Sequence, residues 1–89
     1  MIVFLSIWIV KRLITSEQIR AARALIKWSA DDLAQNSGVG IATIRRFEAH
    51  NGVPSGQLRI LTTLKNSLEK AGVEFIGTPE DSPGVRLKK

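Results

Sequence analysis

Apolar positions recur along this chain in three different rhythms. Residues 1–10 are almost continuously apolar, residues 15–71 repeat at helical spacing, and the last seventeen residues alternate. The helical region opens at Thr15, with Gln18 three positions on, the Thr-x-x-Gln form of a capping box with Thr15 as N-cap. The spacing predicts a helix running to about Lys27, with Ile19, Ala22, Leu25 and Ile26 on its buried face. Arg20, Arg23 and Lys27 fall beside or opposite that face, and Trp28 ends the helix and plugs the core. Ser29 is a suitable N-cap for a second helix, and Asp31 and Asp32 in its first turn suit the positive end of the helix dipole. Leu33 and Ala34 face inward, the small Ala34 allowing close approach of the next helix. Gly38 stops the helix by taking a left-handed conformation.

Val39 then anchors a turn before a third helix from about Ile41 to Ala49, whose Ile44 and Phe47 point into the core. Residues 50–54 read as loop, from the Asn51-Gly52 turn pair and from Pro54, which blocks continuation. Ser55 is placed to cap a fourth helix of about 57–71, with Leu58, Leu61, Leu64, Leu68 and Ala71 as its stripe and Gly72 at its end. Residues 73–76 and 85–88 alternate as short strands do, and residues 78–84 between them are turn chemistry throughout. A lone hairpin is marginal in water, so this one must pack on the helices or pair with another chain. The fold expected is therefore mainly α: a compact bundle of four to five helices with a short C-terminal β-hairpin and an apolar N-terminal segment, readable as a strand. Its parts are 1–14, 15–72 and 73–89.

The apolar run Met1–Val10 is followed at once by Lys11 and Arg12. It is too short to span a bilayer, which takes about 20 apolar residues. Its charge lies on the wrong side for a signal peptide, and no small-residue cleavage site follows. Half of it is β-branched, which favours a strand. Three readings stay open: a buried or dimer-forming segment, a leader translated from an early start, and a tether lying on a membrane surface.

Charge and composition then narrow the chemistry. The 89 residues carry a formal charge of +5, a balance that suits a polyanion partner such as nucleic acid or an anionic membrane face, although a basic soluble domain would show the same sum. There is no cysteine, which excludes disulfides and thiolate metal sites and fits a reducing cytoplasm. The single histidine, His50, reads as a surface loop residue and cannot hold zinc alone. The eight carboxylates are scattered, and no phosphate-cradling glycine loop, His-Glu-x-x-His or nucleophile beside a base occurs. No enzyme, no metal and no cofactor is expected. Lys65, Lys70, Lys88 and Lys89 read as ordinary solvated surface.

The informative stretch is Trp28 to Glu48, two short helices joined by a glycine turn, the second carrying Arg45 and Arg46. That layout suits placement of one helix in the DNA major groove. With Ile44 and Phe47 buried, Ile41, Ala42, Thr43, Arg45 and Arg46 are left outward or at the edge. Arginine pairs with guanine or phosphate, threonine bonds phosphate, and alanine or isoleucine rests against a thymine methyl. The N-terminal amides of the second and third helices are further phosphate donors. Ile41 reads equally well as core, and the arginine pair reads also as a solvated face.

On Trp28-Ser29, Leu33-Ala34, Gly38-Val39, Thr43-Ile44 and Phe47-Glu48, residues 16–71 resemble the helix-turn-helix domain of the Cro/C1-type, xenobiotic-response-element group of bacterial regulators. The resemblance covers about two-thirds of the chain. It implies operator binding by a homodimer, a cytoplasmic, nucleoid-associated location, base-facing positions 41, 42 and 46, and backbone-facing positions 43 and 45. It also implies an architectural ion pair between Arg23 and Glu48. Ser29, Ala30 and Gly40 occupy helix-start positions where the group contacts DNA. Ala30 stands where many members carry glutamine and Gly40 where many carry Ser or Thr, which leaves few hydrogen-bonding readers. The scaffold would be Arg23, Trp28, Leu33, Ala34, Gly38, Val39, Ile44, Phe47 and Glu48. The resemblance implies a transcriptional regulator, in the first instance a small repressor. The competing expectations are an antitoxin-like or scaffold module that binds protein instead of DNA, and a membrane-associated variant.

Overall fold

The computed structural model describes residues 13–88. The chain runs through α1 (Ser16–Ile26), α2 (Ala30–Ser37), α3 (Ile41–Glu48) and α4 (Leu58–Lys70), then β1 (Val73–Thr78) and β2 (Asp81–Leu87), which pair antiparallel. The architecture is mainly α, with four helices and a C-terminal hairpin among the described residues. No helix among them is long and apolar enough to cross a membrane. The three readings of Met1–Val10 lie outside the described residues.

One core joins all the elements. Ile14, Ile19, Ala22, Leu33, Ile44, Phe47, Leu61, Leu64, Leu68 and Val73 are buried together, and Leu13, Ile26, Trp28, Ala30, Ala34, Val39, Phe75 and Val85 pack around them. Each fully buried aliphatic or aromatic side chain stabilises the fold by about 1.5–3 kcal/mol relative to leaving it in water. Leu13 and Ile14 thus belong to the packed body, although their sequence groups them with the apolar leader. The hairpin belongs to it as well, through Val73, Phe75 and Val85.

The helix starts follow local chemistry. The Thr15 Oγ1 accepts from the Gln18 amide at 3.0 Å while the Gln18 Oε1 accepts from the Thr15 amide at 2.8 Å, a complete capping box. Ser29 and Asp32 form a second one, at 3.0 and 2.9 Å. α1 ends one residue earlier than its sequence predicts, because Lys27 takes the left-handed region at φ 60°. That reversal lets the Trp28 amide reach back to the Arg23 carbonyl at 2.9 Å and leaves Ser29 extended, as an N-cap must be. Trp28 itself is half-buried against the core instead of filling it.

Four expectations need correction. Leu25 and Leu58, expected to be buried, are 40% and 49% exposed, because each lies at an end of its helix beyond the reach of the facing elements. Ser55 does not cap α4: the cap position is Gln57, which makes no side-chain cap bond, and the Ser55 hydroxyl lies 3.3 Å from His50 Nε2. The stretch 78–84, expected as turn, is mostly strand. Its true reversal is Pro79-Glu80, between paired Thr78 and Asp81. Gly77, at φ 75°, carries the bulge that lets the ladder continue; a Cβ there would collide with the Ser82 carbonyl.

Gln18 locks the hairpin to α1. Its Nε2 donates to the Ile76 and Gly84 carbonyls at 3.2 and 2.9 Å, facing partners in the β1–β2 ladder. The residue is buried and both of its side-chain polar atoms are bonded, which is what makes a buried amide tolerable.

Candidate nucleic-acid interface

α2 and α3 are joined by three residues whose backbone is determined residue by residue. Gly38 ends α2 at φ 78°, its amide bonded to the Ala34 carbonyl at 2.9 Å. The Val39 amide donates to Ser37 Oγ at 3.1 Å while the Val39 side chain packs on the core. Gly40 is extended and serves as N-cap of α3 without a side-chain bond. Gly38 is required by its positive φ. Gly40 has an ordinary φ of −62°, and its position is open to other residues.

α3 buries Ile44 and Phe47 completely. At about 100° per residue, these two define one side of the helix, and the opposite arc consists of Ala42, Arg45, Arg46 and Ala49. All four are exposed, with Ala42 and Ala49 at the middle of the arc and the arginines to either side. Ile41 and Thr43 are half-buried on the two flanks. The arginine pair therefore does face outward, and Ile41 sits at the margin between core and surface. The arc includes Ala49, the C-cap residue, which the sequence pattern placed in the helix without giving it a role. The Arg46 guanidinium lies 5.9 Å from the Phe47 ring centroid, at the outer reach of a cation–π contact.

The two helix starts differ in charge. α3 has no acidic residue in its first turn and no side-chain cap, so the amides of Ile41, Ala42 and Thr43 have no carbonyl one turn behind them and stay open to an anion. α2 has Asp31 and Asp32 in its first turn, and its Ser29 hydroxyl and Asp32 carboxylate already bond each other's amides. Ala30 packs partly against the core. Ser29 and Ala30 thus serve the helix start and the core, and the helix start without a side-chain cap or acidic residue is that of α3, beginning at Gly40.

α1 holds the far end of α3 at three points. Ser16 Oγ donates to the Phe47 carbonyl at 2.5 Å, Arg20 Nη1 donates to the Glu48 carbonyl, and Arg23 grips the Glu48 carboxylate. The first two satisfy carbonyls that a helix end leaves open, and the guanidinium groups lie where the dipole favours positive charge. Arg23 is bidentate, Nε to Oε2 at 2.7 Å and Nη2 to Oε1 at 2.8 Å, and its Nη1 donates to the Trp28 carbonyl at 3.0 Å. The Glu48 carboxylate raises the Arg23 pKa above its ordinary value by accepting these bonds. The ion pair implied by the family resemblance is therefore present, along with Arg20 and Ser16 bonds that sequence spacing alone does not reveal.

A cleft of about 320 Å³ opens between the start of α1 and the hairpin, lined by Glu17, Ala21, Gly52, Pro79 and Pro83 among others. Its one carboxylate, Glu17, accepts the Gly52 amide at 2.9 Å, which holds its pKa below the ordinary value. No group of three or more His, Cys, Asp or Glu side chains able to hold a metal ion occurs among the described residues. No family model matches the chain, and no curated protein matches it.

Proposed function

We propose that this chain is a sequence-specific DNA-binding transcriptional regulator of the helix-turn-helix type. In this reading α2 and α3 form the motif, and α3 enters the major groove as the recognition helix. The observation that carries the reading is the outward arc of Ala42, Arg45, Arg46 and Ala49, on a helix whose other side is buried and whose far end is held by α1. Two cations and two small methyls on a rigid cylinder suit a groove lined with acceptors and bounded by phosphates. The open α3 terminus and the formal charge of +5 support it further. Gly40 belongs to the interface as a close-approach position with an unbonded amide, and Thr43 as a phosphate neighbour on the flank.

The regulator acts as a homodimer in this account and works in the cytoplasm, at the nucleoid. An eight-residue helix spans only a few base pairs, and two copies on a symmetric site multiply both affinity and specificity. Selection of bound duplexes from a randomised pool by the full chain, at two salt concentrations, tests this reading. Enrichment of a two-fold symmetric sequence with affinity falling as salt rises is the expected result. An unenriched pool would overturn it.

A further inference from the structure

We propose that the outward arc of α3 recognises its half-site through guanine and through thymine 5-methyl groups, with no reader for adenine or for the cytosine amino group. This inference rests on the DNA-binding reading above and adds the base chemistry. In the major groove guanine presents two acceptors, adenine an acceptor and a donor, cytosine a donor, and thymine an acceptor with a methyl group. Two acceptors call for a forked donor, which Arg45 and Arg46 supply. The acceptor–donor edge of adenine calls for an asparagine or glutamine, and the cytosine amino group for a carboxylate. Neither type occurs on the arc.

The nearest carboxylate on α3, Glu48, is committed to Arg23. Asn36 on the preceding helix donates back to the Asp32 carbonyl at 2.9 Å. What remains on the arc besides the arginines is the methyl groups of Ala42 and Ala49. They stand seven residues apart, about 10.5 Å along the helix, and so bracket the arginines over roughly three base-pair steps of about 3.4 Å each. The geometry thus describes a short half-site with guanine at its centre and thymine methyls towards its ends.

The test uses the duplex enriched by the full chain. Each thymine in turn is replaced by deoxyuridine, which removes the methyl and keeps the hydrogen-bond pattern. Each guanine is replaced by 7-deazaguanine and each adenine by 7-deazaadenine, which remove the N7 acceptor. Deoxyuridine at the contacted positions should weaken binding roughly three- to fivefold per methyl, and 7-deazaguanine by roughly five- to a hundredfold. The 7-deazaadenine duplexes should bind unchanged. The methyl effect should vanish in Ala42→Gly or Ala49→Gly, and the guanine effect in Arg45→Ala or Arg46→Ala, each variant confirmed folded by its thermal transition. An enriched duplex indifferent to deoxyuridine, or one weakened by 7-deazaadenine, overturns this inference and leaves the DNA-binding reading standing. Failure to enrich any duplex overturns both.

Discussion

The Arg23 guanidinium and the Glu48 carboxylate meet side to side, with Nε and Nη2 each bonded to a different carboxylate oxygen at 2.7 and 2.8 Å. Both side chains are mostly covered, at 20% and 10% exposed. Glu48 would otherwise place a negative charge at the negative end of the α3 dipole. The pair ties α1 to the last turn of α3, and through Arg23 to the Trp28 carbonyl it also sets the start of the α1–α2 connection.

Breaking one half of this pair leaves a covered charge without its partner. Arg23→Ala or Glu48→Gln should lower stability by about 1.5–3 kcal/mol, the range for hydrogen bonds to charged groups. Substituting both residues together should cost less than the sum of the two single changes. Thermal or urea unfolding of the two single variants and the double variant measures the coupling. Coupling indistinguishable from zero would show that the pair contributes nothing to the fold.

Gln18 predicts a different failure. Gln18→Ala removes half of a capping box and strips the Ile76 and Gly84 carbonyls of their shared donor. A destabilisation of about 1–3 kcal/mol is expected for buried groups left unpaired. Because the hairpin is the part released, amide exchange in β1 and β2 should accelerate more than in α4. Uniform acceleration across all elements would contradict the role assigned to this side chain.

Two surface carboxylates set the acid limb. Glu17 is held below the ordinary carboxylate value of 4.5 by the Gly52 amide, and Glu74 by the Arg86 guanidinium, bonded at 2.9 and 3.0 Å. A folded-state pKa lying below the unfolded one gives stability that is fully present above the unfolded value. That stability disappears as pH falls through the folded value. The melting temperature should therefore decline below about pH 4.5, and Glu17→Gln and Glu74→Gln should each flatten that decline. An acid limb identical in the wild type and in both variants would rule these bonds out as its cause.

Much of this arrangement is legible in the sequence, for a physical reason. Capping boxes at Thr15 and Ser29, the left-handed Gly38, and the inward pair Ile44 and Phe47 depend on residues within four positions of one another, so local spacing reveals them. What escapes is whatever depends on where an element ends in space. Leu25 and Leu58 continue an apolar period beyond the point where a neighbour covers them. Gln18 looks like a cap and nothing more, because its hairpin partners lie 58 and 66 residues away. Lys27 takes a backbone conformation that no pattern of lysines announces. In the candidate interface the arginine pair is visible from helical spacing, whereas the place of Ala49 on the same arc depends on how far helical geometry persists into the C-cap, which spacing alone does not fix.

The most direct measurement of the central claim is the affinity of the enriched duplex for wild type and for the Arg45→Ala/Arg46→Ala variant, as a function of salt. If α3 carries the interface, the variant should bind more weakly at every salt concentration. Its log-affinity against log-salt slope should also be shallower, because two positive charges leave a groove bounded by phosphates and fewer counterions are released on binding. A folded variant that binds the same duplex with unchanged affinity and unchanged slope would contradict the account.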